Sequence, residues 1–78
     1  MPTVNVTNEE KDVVNWLVDS TIYSSKRQAR EDVTNGAITI NGVKVTSLDE
    51  IVRPHKNSHG RFVIVRKGKK KSTLAKIQ

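Results

Sequence analysis

The most constraining part of this sequence is residues 24–45, which read SSKRQAREDVTNGAITINGVKV. Ser25 and Gln28 have the spacing of a capping box, in which the serine oxygen accepts a hydrogen bond from the third helical N–H and the glutamine side chain reaches back to the cap. This pattern predicts a helix that starts at Lys26. Gly36 supplies the left-handed residue that commonly follows the last helical turn. The segment therefore predicts a short helix of about ten residues.

A β-hairpin is predicted directly after this helix. In residues 38–40 and 43–45, apolar and polar side chains alternate, as they do in a half-buried strand. Between the two segments lies Asn41-Gly42, a pair that readily takes the two left-handed conformations of a type I′ turn. The alternation gives the predicted hairpin one apolar face, formed by Ile38, Ile40, Val43 and Val45.

The predicted helix carries its charges in the order that its own dipole disfavours. Lys26, Arg27 and Arg30 lie near the positive N-terminal end. Glu31 and Asp32 lie toward the negative end, and each charge placed in this way costs a few tenths of a kcal/mol. A bound phosphate would reverse that cost, because the free N–H groups, the dipole and the cations would converge on one anion. The helix alone leaves open the alternative that these residues are solvated surface cations.

Composition indicates a small binding module. The chain has 78 residues, 35% of them hydrophobic, and a core of this size leaves no room for a buried enzyme cleft. The lack of cysteine excludes disulfides and thiolate metal sites and allows a cytoplasmic location. His55 and His59 lie in a polar segment with no third ligand beside them, which disfavours a metal site. No apolar stretch reaches membrane-spanning length, and residues 1–6 lack the apolar core of a signal peptide.

The basic charge is concentrated in the C-terminal third of the chain. Residues 1–52 carry five Lys or Arg and eight Asp or Glu, whereas residues 53–78 carry nine Lys or Arg and no acid. A basic surface of this kind attracts a nucleic-acid backbone, but it also attracts acidic membranes and acidic proteins. The charge alone therefore does not identify the partner.

Residues 1–6 are predicted to be extended and to form a linker remnant, and residues 7–78 are predicted to form a single domain. Thr7 and Glu10 make a second capping-box pattern, which predicts a first helix that runs to about Ser20. The apolar stripe of this helix, expected in the core, consists of Val13, Val14, Trp16, Leu17 and Val18.

A second hairpin is predicted near the C-terminus. Before it, the segment SLDEIV contributes three apolar residues to the core, Leu48, Ile51 and Val52. Residues 53–60 have the polar and turn-forming composition of a loop. A strand over residues 61–66, a turn at Lys67-Gly68 and a last strand over about residues 70–75 then complete the hairpin.

Cations cluster at the turn of this second hairpin, namely Arg66, Lys67, Lys69, Lys70 and Lys71. A lysine-rich edge can protect a sheet against aggregation, but the lack of interspersed acids favours a nucleic-acid surface. Tyr23 lies just before the basic helix, and the sequence does not decide whether it packs or presents its hydroxyl to RNA. The chain has no Gly-rich nucleotide loop and no nucleophile elbow, so it offers no catalytic motif.

The basic helix and its hairpin resemble the alpha-L RNA-binding motif, which is named for a small-subunit ribosomal protein. The matching positions are Ser25, Lys26, Ala29, Arg30, Gly36, Asn41 and Gly42. With the second half, GRFVIVRKGKKKSTLAKI, the chain resembles the C-terminal domain of bacterial tyrosyl-tRNA synthetases from about residue 4 to residue 76. Thr39 and Ser72 depart from that family, which often carries an aromatic residue at these positions, so base stacking is not expected on those strands.

The resemblance implies an α+β fold in which two short N-terminal helices pack on a small, mainly antiparallel sheet. It also implies that the chain holds tRNA, specifically tyrosine tRNA, near the anticodon stem and the long variable arm by phosphate and shape recognition. The RNA-binding residues that it implies are Ser25, Lys26, Arg27, Arg30, Lys67, Lys69, Lys70 and Lys71.

The same resemblance implies that the chain lacks the Rossmann-type domain that binds ATP and tyrosine. The fragment would then need no cofactor and would not aminoacylate tRNA alone. Its partners would be tRNA and the remaining domains of a cytoplasmic tyrosine-tRNA ligase, with no membrane involved. The fragment would be monomeric, and the parent protein would be a homodimer.

Other interpretations stay open at this point. The same module serves as the RNA-binding appendage of pseudouridine synthases and as a ribosome-associated heat-shock protein, although the GRFVIVRKGKKK extension argues against both. A basic protein-interaction domain would bind an acidic partner chain, with RNA binding incidental. A free-standing enzyme is disfavoured because acid, base and cofactor motifs are missing.

Overall fold

The structure, a computed structural model, describes residues 2–57, 60–68 and 71–78. It is an α+β fold, as the sequence predicts. The helices are α1 (Val13–Asp19), α2 (Lys26–Thr34) and the single-turn α3 (Pro54–Asn57). The strands are β1 (Thr3–Val6), β2 (Lys11–Asp12), β3 (Ile38–Ile40), β4 (Val43–Lys44), β5 (Ile51–Val52), β6 (Phe62–Lys67) and β7 (Lys71–Ile77).

Five strands form the main sheet, in the order β1-β7-β6-β3-β4. β1 runs parallel to β7, and the other neighbouring strands of this sheet are antiparallel. The short strands β2 and β5 form a separate antiparallel ladder. Helices α1 and α2 pack on one face of the main sheet, which we call the inner face, around a core that includes Leu17, Ala29, Val33, Val63 and Val65.

The basic helix and its hairpin form where the sequence predicts them. Helix α2 begins at Lys26, and Gly36, with φ +70°, follows the C-terminal cap. Asn41 and Gly42 have φ values of +51° and +84°, as a type I′ turn requires. The predicted apolar face is incomplete, however. Val43 is 68% exposed, because β4 is the edge of the sheet and this end of the hairpin reaches beyond the core.

The prediction that residues 1–6 form a linker remnant outside the domain is corrected by strand β1. Residues 3–6 are extended, as expected, but they pair with β7 and belong to the main sheet. Val6 is buried at the end of this strand. The pairing was not predicted because β7 lies at the opposite end of the chain, and no local pattern shows which strands will meet.

The predicted start of the first helix near Thr7 is wrong, since α1 begins at Val13 with Asp12 as its N-cap. The Asp12 carboxylate accepts hydrogen bonds from the backbone N–H of Asn15 at 3.1 Å and from its side-chain amide at 2.6 Å. These two bonds lower the pKa of the Asp12 carboxyl below its ordinary value. The chain stays extended before Asp12 because residues 11–12 pair with β5.

The region between the two hairpins also differs from the sequence prediction. Part of the predicted loop at residues 53–60 forms α3, and Ser58 and His59 lie outside the described residues. Val52 is buried as expected, but Leu48 and Ile51 are exposed. The second hairpin is confirmed with small shifts in its ends, as strands β6 and β7.

Candidate nucleic-acid interface

Helix α2 presents three cations to solvent. The hydroxyl oxygen of Ser25 accepts a hydrogen bond from the backbone N–H of Gln28 at 3.2 Å, which fixes the start of the helix. Ala29 and Val33 are buried against the core. Lys26, Arg27 and Arg30 are all exposed. By helical spacing Arg27 lies on the far side of the helix from Ala29, whereas Lys26 and Arg30 lie beside the buried stripe.

Within the described part of the chain, the cations of α2 form no ion pair with a carboxylate. Among residues 2–57, 60–68 and 71–78, no acidic oxygen lies within 4.0 Å of the charged groups of Lys26, Arg27 or Arg30. Acidic residues before and in α1 do have basic partners, since Lys11 pairs with Asp19 at 2.9 Å and Arg53 with Glu10 at 3.6 Å. The side chain of Gln28 donates to Asp32 at 3.0 Å, so only the serine half of the predicted capping box forms.

Lys67 and Gly68, at the end of β6, are held next to the segments that flank α2 by two hydrogen bonds. The ammonium of Lys67 donates to the carbonyl oxygen of Ile22 at 2.9 Å, just before the start of α2. The backbone N–H of Gly68 donates to the carbonyl oxygen of Ala37 at 2.7 Å, just after its end. The fold thus brings the end of β6, where the basic turn begins, next to the segments that flank the basic helix.

The predicted lysines of this turn have different surroundings. Lys71, at the start of β7, is exposed. Lys67 is half-buried, and its ammonium lies 4.8 Å from the ring centroid of Tyr23. Lys69 and Lys70 lie outside the described residues. The ammonium of Lys67 therefore faces the protein, unlike the cations of α2.

Tyr23 packs in the core, which decides the question that the sequence left open. Its hydroxyl donates a hydrogen bond to a carboxylate oxygen of Asp32 on α2. Burial disfavours the phenolate, and the hydrogen bond and negative charge of Asp32 add to this, so the pKa of Tyr23 is raised above its ordinary value. Sequence reasoning missed this connection because Tyr23 lies in the segment before α2 and Asp32 within the helix, and no local spacing rule joins residues nine positions apart in this way.

Replacing Tyr23 by phenylalanine is expected to lower the free energy of unfolding by about 1 kcal/mol at neutral pH, through loss of this hydrogen bond. Because the folded-state pKa is raised, the stabilising effect of the tyrosine is complete below its unfolded pKa of 10.0 and is lost as the pH rises toward the folded value. Urea unfolding of both proteins between pH 7 and pH 11 measures this. The difference in stability should shrink above pH 10, and a constant difference would contradict the assignment.

Two further classes of site were considered within the described residues. No group of three or more His, Cys, Asp or Glu side chains there could hold a metal ion. The imidazole Nε2 of His55 lies 3.9 Å from a carboxylate oxygen of Glu10, and His59 lies outside the described residues. In the part of the chain that the structure describes, no helix is long and apolar enough to span a membrane.

The sequence is similar to known proteins over its whole length. Residues 1–75 match the family model of the tyrosine-tRNA ligase SYY-like C-terminal domain. A curated tyrosine-tRNA ligase from Ligilactobacillus salivarius is 58% identical over 78 residues, which are 100% of this chain and 19% of that protein. Tyrosine-tRNA ligase 1 from Enterococcus faecalis is 57% identical over 77 residues, which are 99% of this chain and 18% of that protein. The chain thus spans about a fifth of the length of these relatives.

The fold is similar to a solved structure as well. The solution structure of a tyrosyl-tRNA synthetase C-terminal domain superposes with a TM-score of 0.78 and 37% sequence identity. The match covers 100% of this chain and 79% of the other. The similarity therefore extends to the whole arrangement of helices and strands described above.

Proposed function

Because this chain belongs to the family of tyrosine-tRNA ligase C-terminal domains, we propose that it is the part of such a ligase that holds tRNA. The whole protein would then join tyrosine to its tRNA in the cytoplasm, most simply as a homodimer. ATP and tyrosine would bind in the catalytic part of the ligase, outside this chain. The chain itself would contribute affinity for RNA and no chemistry, and it would be monomeric in isolation.

The observation that carries this proposal is the common location of the two basic elements. The exposed cations of α2 have no carboxylate partner among the described residues, and the end of β6, where the basic turn begins, is held next to the segments that flank this helix by the bonds of Lys67 and Gly68. An RNA backbone laid against this surface would meet cations from both elements at once. Each phosphate contact of this kind releases counterions, which supplies affinity without base recognition.

We assign the following roles within this surface. Lys26, Arg27 and Arg30 contact phosphates, and Ser25 caps the helix so that the free N–H groups of its first turn face the same anion. The exposed Lys71 extends the contact, together with Lys69 and Lys70 of the turn. Lys67 holds the turn in place, because its ammonium is already bonded to Ile22.

Shape would supply the specificity of this contact. A-form RNA hides its base edges in a deep groove, so a surface of cations on a rigid helix and hairpin reads the path of the backbone rather than the sequence. A tRNA with a long variable arm presents two backbones that diverge at an elbow. We place the basic helix at this elbow, near the anticodon stem of tyrosine tRNA.

The test is a titration of the 78-residue chain with three RNAs at two salt concentrations. These are tyrosine tRNA, the same tRNA with its variable arm shortened, and a plain RNA duplex. We expect tighter binding to the intact tRNA at both salt concentrations. Salt weakens the charge contacts to all three RNAs, but it does not remove the difference in shape between them. Equal binding to all three RNAs would leave a generic basic RNA-binding module, and weak, salt-sensitive binding without discrimination would favour an acidic protein partner.

A further inference from the structure

The face of the main sheet opposite the helices, which we call the outer face, is not covered by any other described part of the chain. The register of the strands shows which residues share it, because side chains directly opposite each other in neighbouring strands point to the same side. Five of these residues on the central strands β6 and β7 are Phe62, Ile64, Arg66, Leu74 and Lys76. The outer face also carries Thr39 of β3, Lys44 of β4 and Ser72 of β7.

Apolar side chains form a patch in the middle of the outer face. Phe62 is 37% exposed and Ile64 is 41% exposed, although both lie on a central strand. Ile64 pairs directly with the partly buried Leu74, and Phe62 pairs with Lys76. The ring of Phe62 offers an aromatic surface of the kind on which unpaired bases stack, and Ile64, two residues along the strand, extends the apolar contact beside it.

A polar row crosses the sheet beside this patch. Thr39 lies opposite both Lys44 and Arg66, and Arg66 lies opposite Ser72. The row spans four neighbouring strands, or about 14 Å at the usual strand spacing. The same four residues, with Gly42 and Ile64, line a shallow concavity. Two hydroxyl groups and two cations thus stand next to the apolar patch.

The charge of the outer face selects among possible partners. It carries Lys44, Arg66 and Lys76, and no Asp or Glu occurs among its described residues. A second copy of this chain would bring like charges together, which disfavours self-association through this face. A partner with negative charge and flat apolar groups is complementary to both the cations and the patch.

We propose that the outer face binds unpaired nucleotides, with bases on Phe62 and Ile64 and phosphates along the row of Lys44 and Arg66. The class of partner, RNA, is taken from the proposed function, but the surface is a different one. The helices pack on the inner face, so a stem held by α2 and a single strand held by the outer face are bound on opposite sides of the sheet. The stacking surface lies on Phe62 and Ile64 and does not require aromatic residues at Thr39 or Ser72.

The experiment is an NMR titration of the ¹⁵N-labelled chain with an eight-residue oligouridylate, an eight-residue oligoadenylate, an RNA hairpin without unpaired ends, and oligoglutamate. We expect the single strands to shift backbone amides of β3, β6 and β7, and the hairpin to shift amides of α2. Stronger shifts with oligoadenylate are expected, because purines stack better. Shifts confined to α2 with every ligand would overturn the proposal, as would equal shifts of the outer face by oligoglutamate.

Variants with a matched control separate stacking from simple loss of apolar surface. Ile64→Thr keeps a β-branched residue in the strand and is expected to weaken oligoadenylate binding about tenfold. Ile51→Thr is the control, because Ile51 is a strand isoleucine with 38% exposure that lies on β5, outside this sheet. Phe62→Thr should weaken oligoadenylate binding as Ile64→Thr does. If Phe62→Thr does not fold, Ile64→Thr by itself still tests the proposal. Equal effects of Ile64→Thr and Ile51→Thr would refute the stacking surface.

The two proposals fail in distinguishable ways. If only the outer-face proposal is wrong, Ile64→Thr leaves oligonucleotide binding unchanged while changes in α2 still weaken tRNA binding. If only the proposed function of α2 is wrong, changes in α2 leave tRNA binding unchanged while Ile64→Thr weakens oligoadenylate binding. A doubling of mass in sedimentation that Ile64→Thr abolishes would show that a second copy covers the outer face, which would also overturn the inference.

Discussion

Replacing Lys26, Arg27 and Arg30 together by alanine is expected to weaken tRNA binding about a hundredfold at 0.1 M salt. Each phosphate contact to RNA or DNA contributes a slope of about 0.7 to 0.9 in log K against log[salt], so three lost contacts remove roughly two orders of magnitude at this concentration. The slope itself should fall by about two. The fold should be retained, because the three side chains are exposed and alanine favours a helix.

Binding isotherms at four salt concentrations measure both quantities, and circular dichroism checks the fold. The control variant is Lys56→Ala/Arg61→Ala, which removes two exposed cations outside α2. Lys56 lies on α3, and Arg61 lies directly before β6, about 20 Å along the strand from Lys67. The control variant should change the slope little. Retained affinity in the α2 variant, or equal effects of the two variants, would rule out α2 as the centre of the interface.

Replacing Lys67 by methionine is expected to lower the free energy of unfolding by about 1–3 kcal/mol. The variant loses the charged hydrogen bond to the carbonyl oxygen of Ile22 and the contact of the ammonium with the ring of Tyr23. Affinity for tRNA should fall because the basic turn is no longer held beside α2. The salt slope should fall only as far as phosphate contacts of the turn are lost with it, because Lys67 itself releases no counterion in this arrangement.

Urea unfolding and salt-dependent binding of Lys67→Met distinguish a holding role from direct contact with RNA. Lys67→Arg is the matched variant, since arginine keeps a donor and a positive charge, and it should recover most of the stability. A drop in slope by about 0.7 to 0.9 with unchanged stability would show that Lys67 contacts phosphate directly, as the family resemblance implied.

Local chemistry made much of α2 and its hairpin predictable. The cap at Ser25, the left-handed residue at Gly36 and the pair Asn41-Gly42 each depend on backbone conformations a few residues apart. The structure confirms all three. The burial of Ala29 and Val33 followed from their spacing of four, and the polar residues Lys26, Arg27 and Arg30 around them are exposed.

The errors occurred where pairing between distant segments overrides a local signal. Thr7 and Glu10 have capping-box spacing, but residues 11–12 join a ladder with β5, so the helix is capped later, by Asp12. The sequence of residues 3–6 indicates only an extended segment. Its place in the sheet depends on pairing with β7, which has an unpaired edge without it. The predicted burial of Ile51 was wrong because an apolar residue is buried only where another part of the chain packs on it, and Ile51 is 38% exposed.

The sequence by itself determined the capped basic helix, both hairpins and the concentration of positive charge, because these depend on local backbone preference and on composition. The fold class followed from the family resemblance. Only the tertiary structure decided that Lys67 is bonded to Ile22, that Tyr23 is bonded to Asp32, and that an apolar patch stays open on the outer face. The two hydrogen bonds join residues nine and 45 positions apart, and the patch depends on how separate strands pair. Their energies depend on distance and burial, which a linear pattern does not contain.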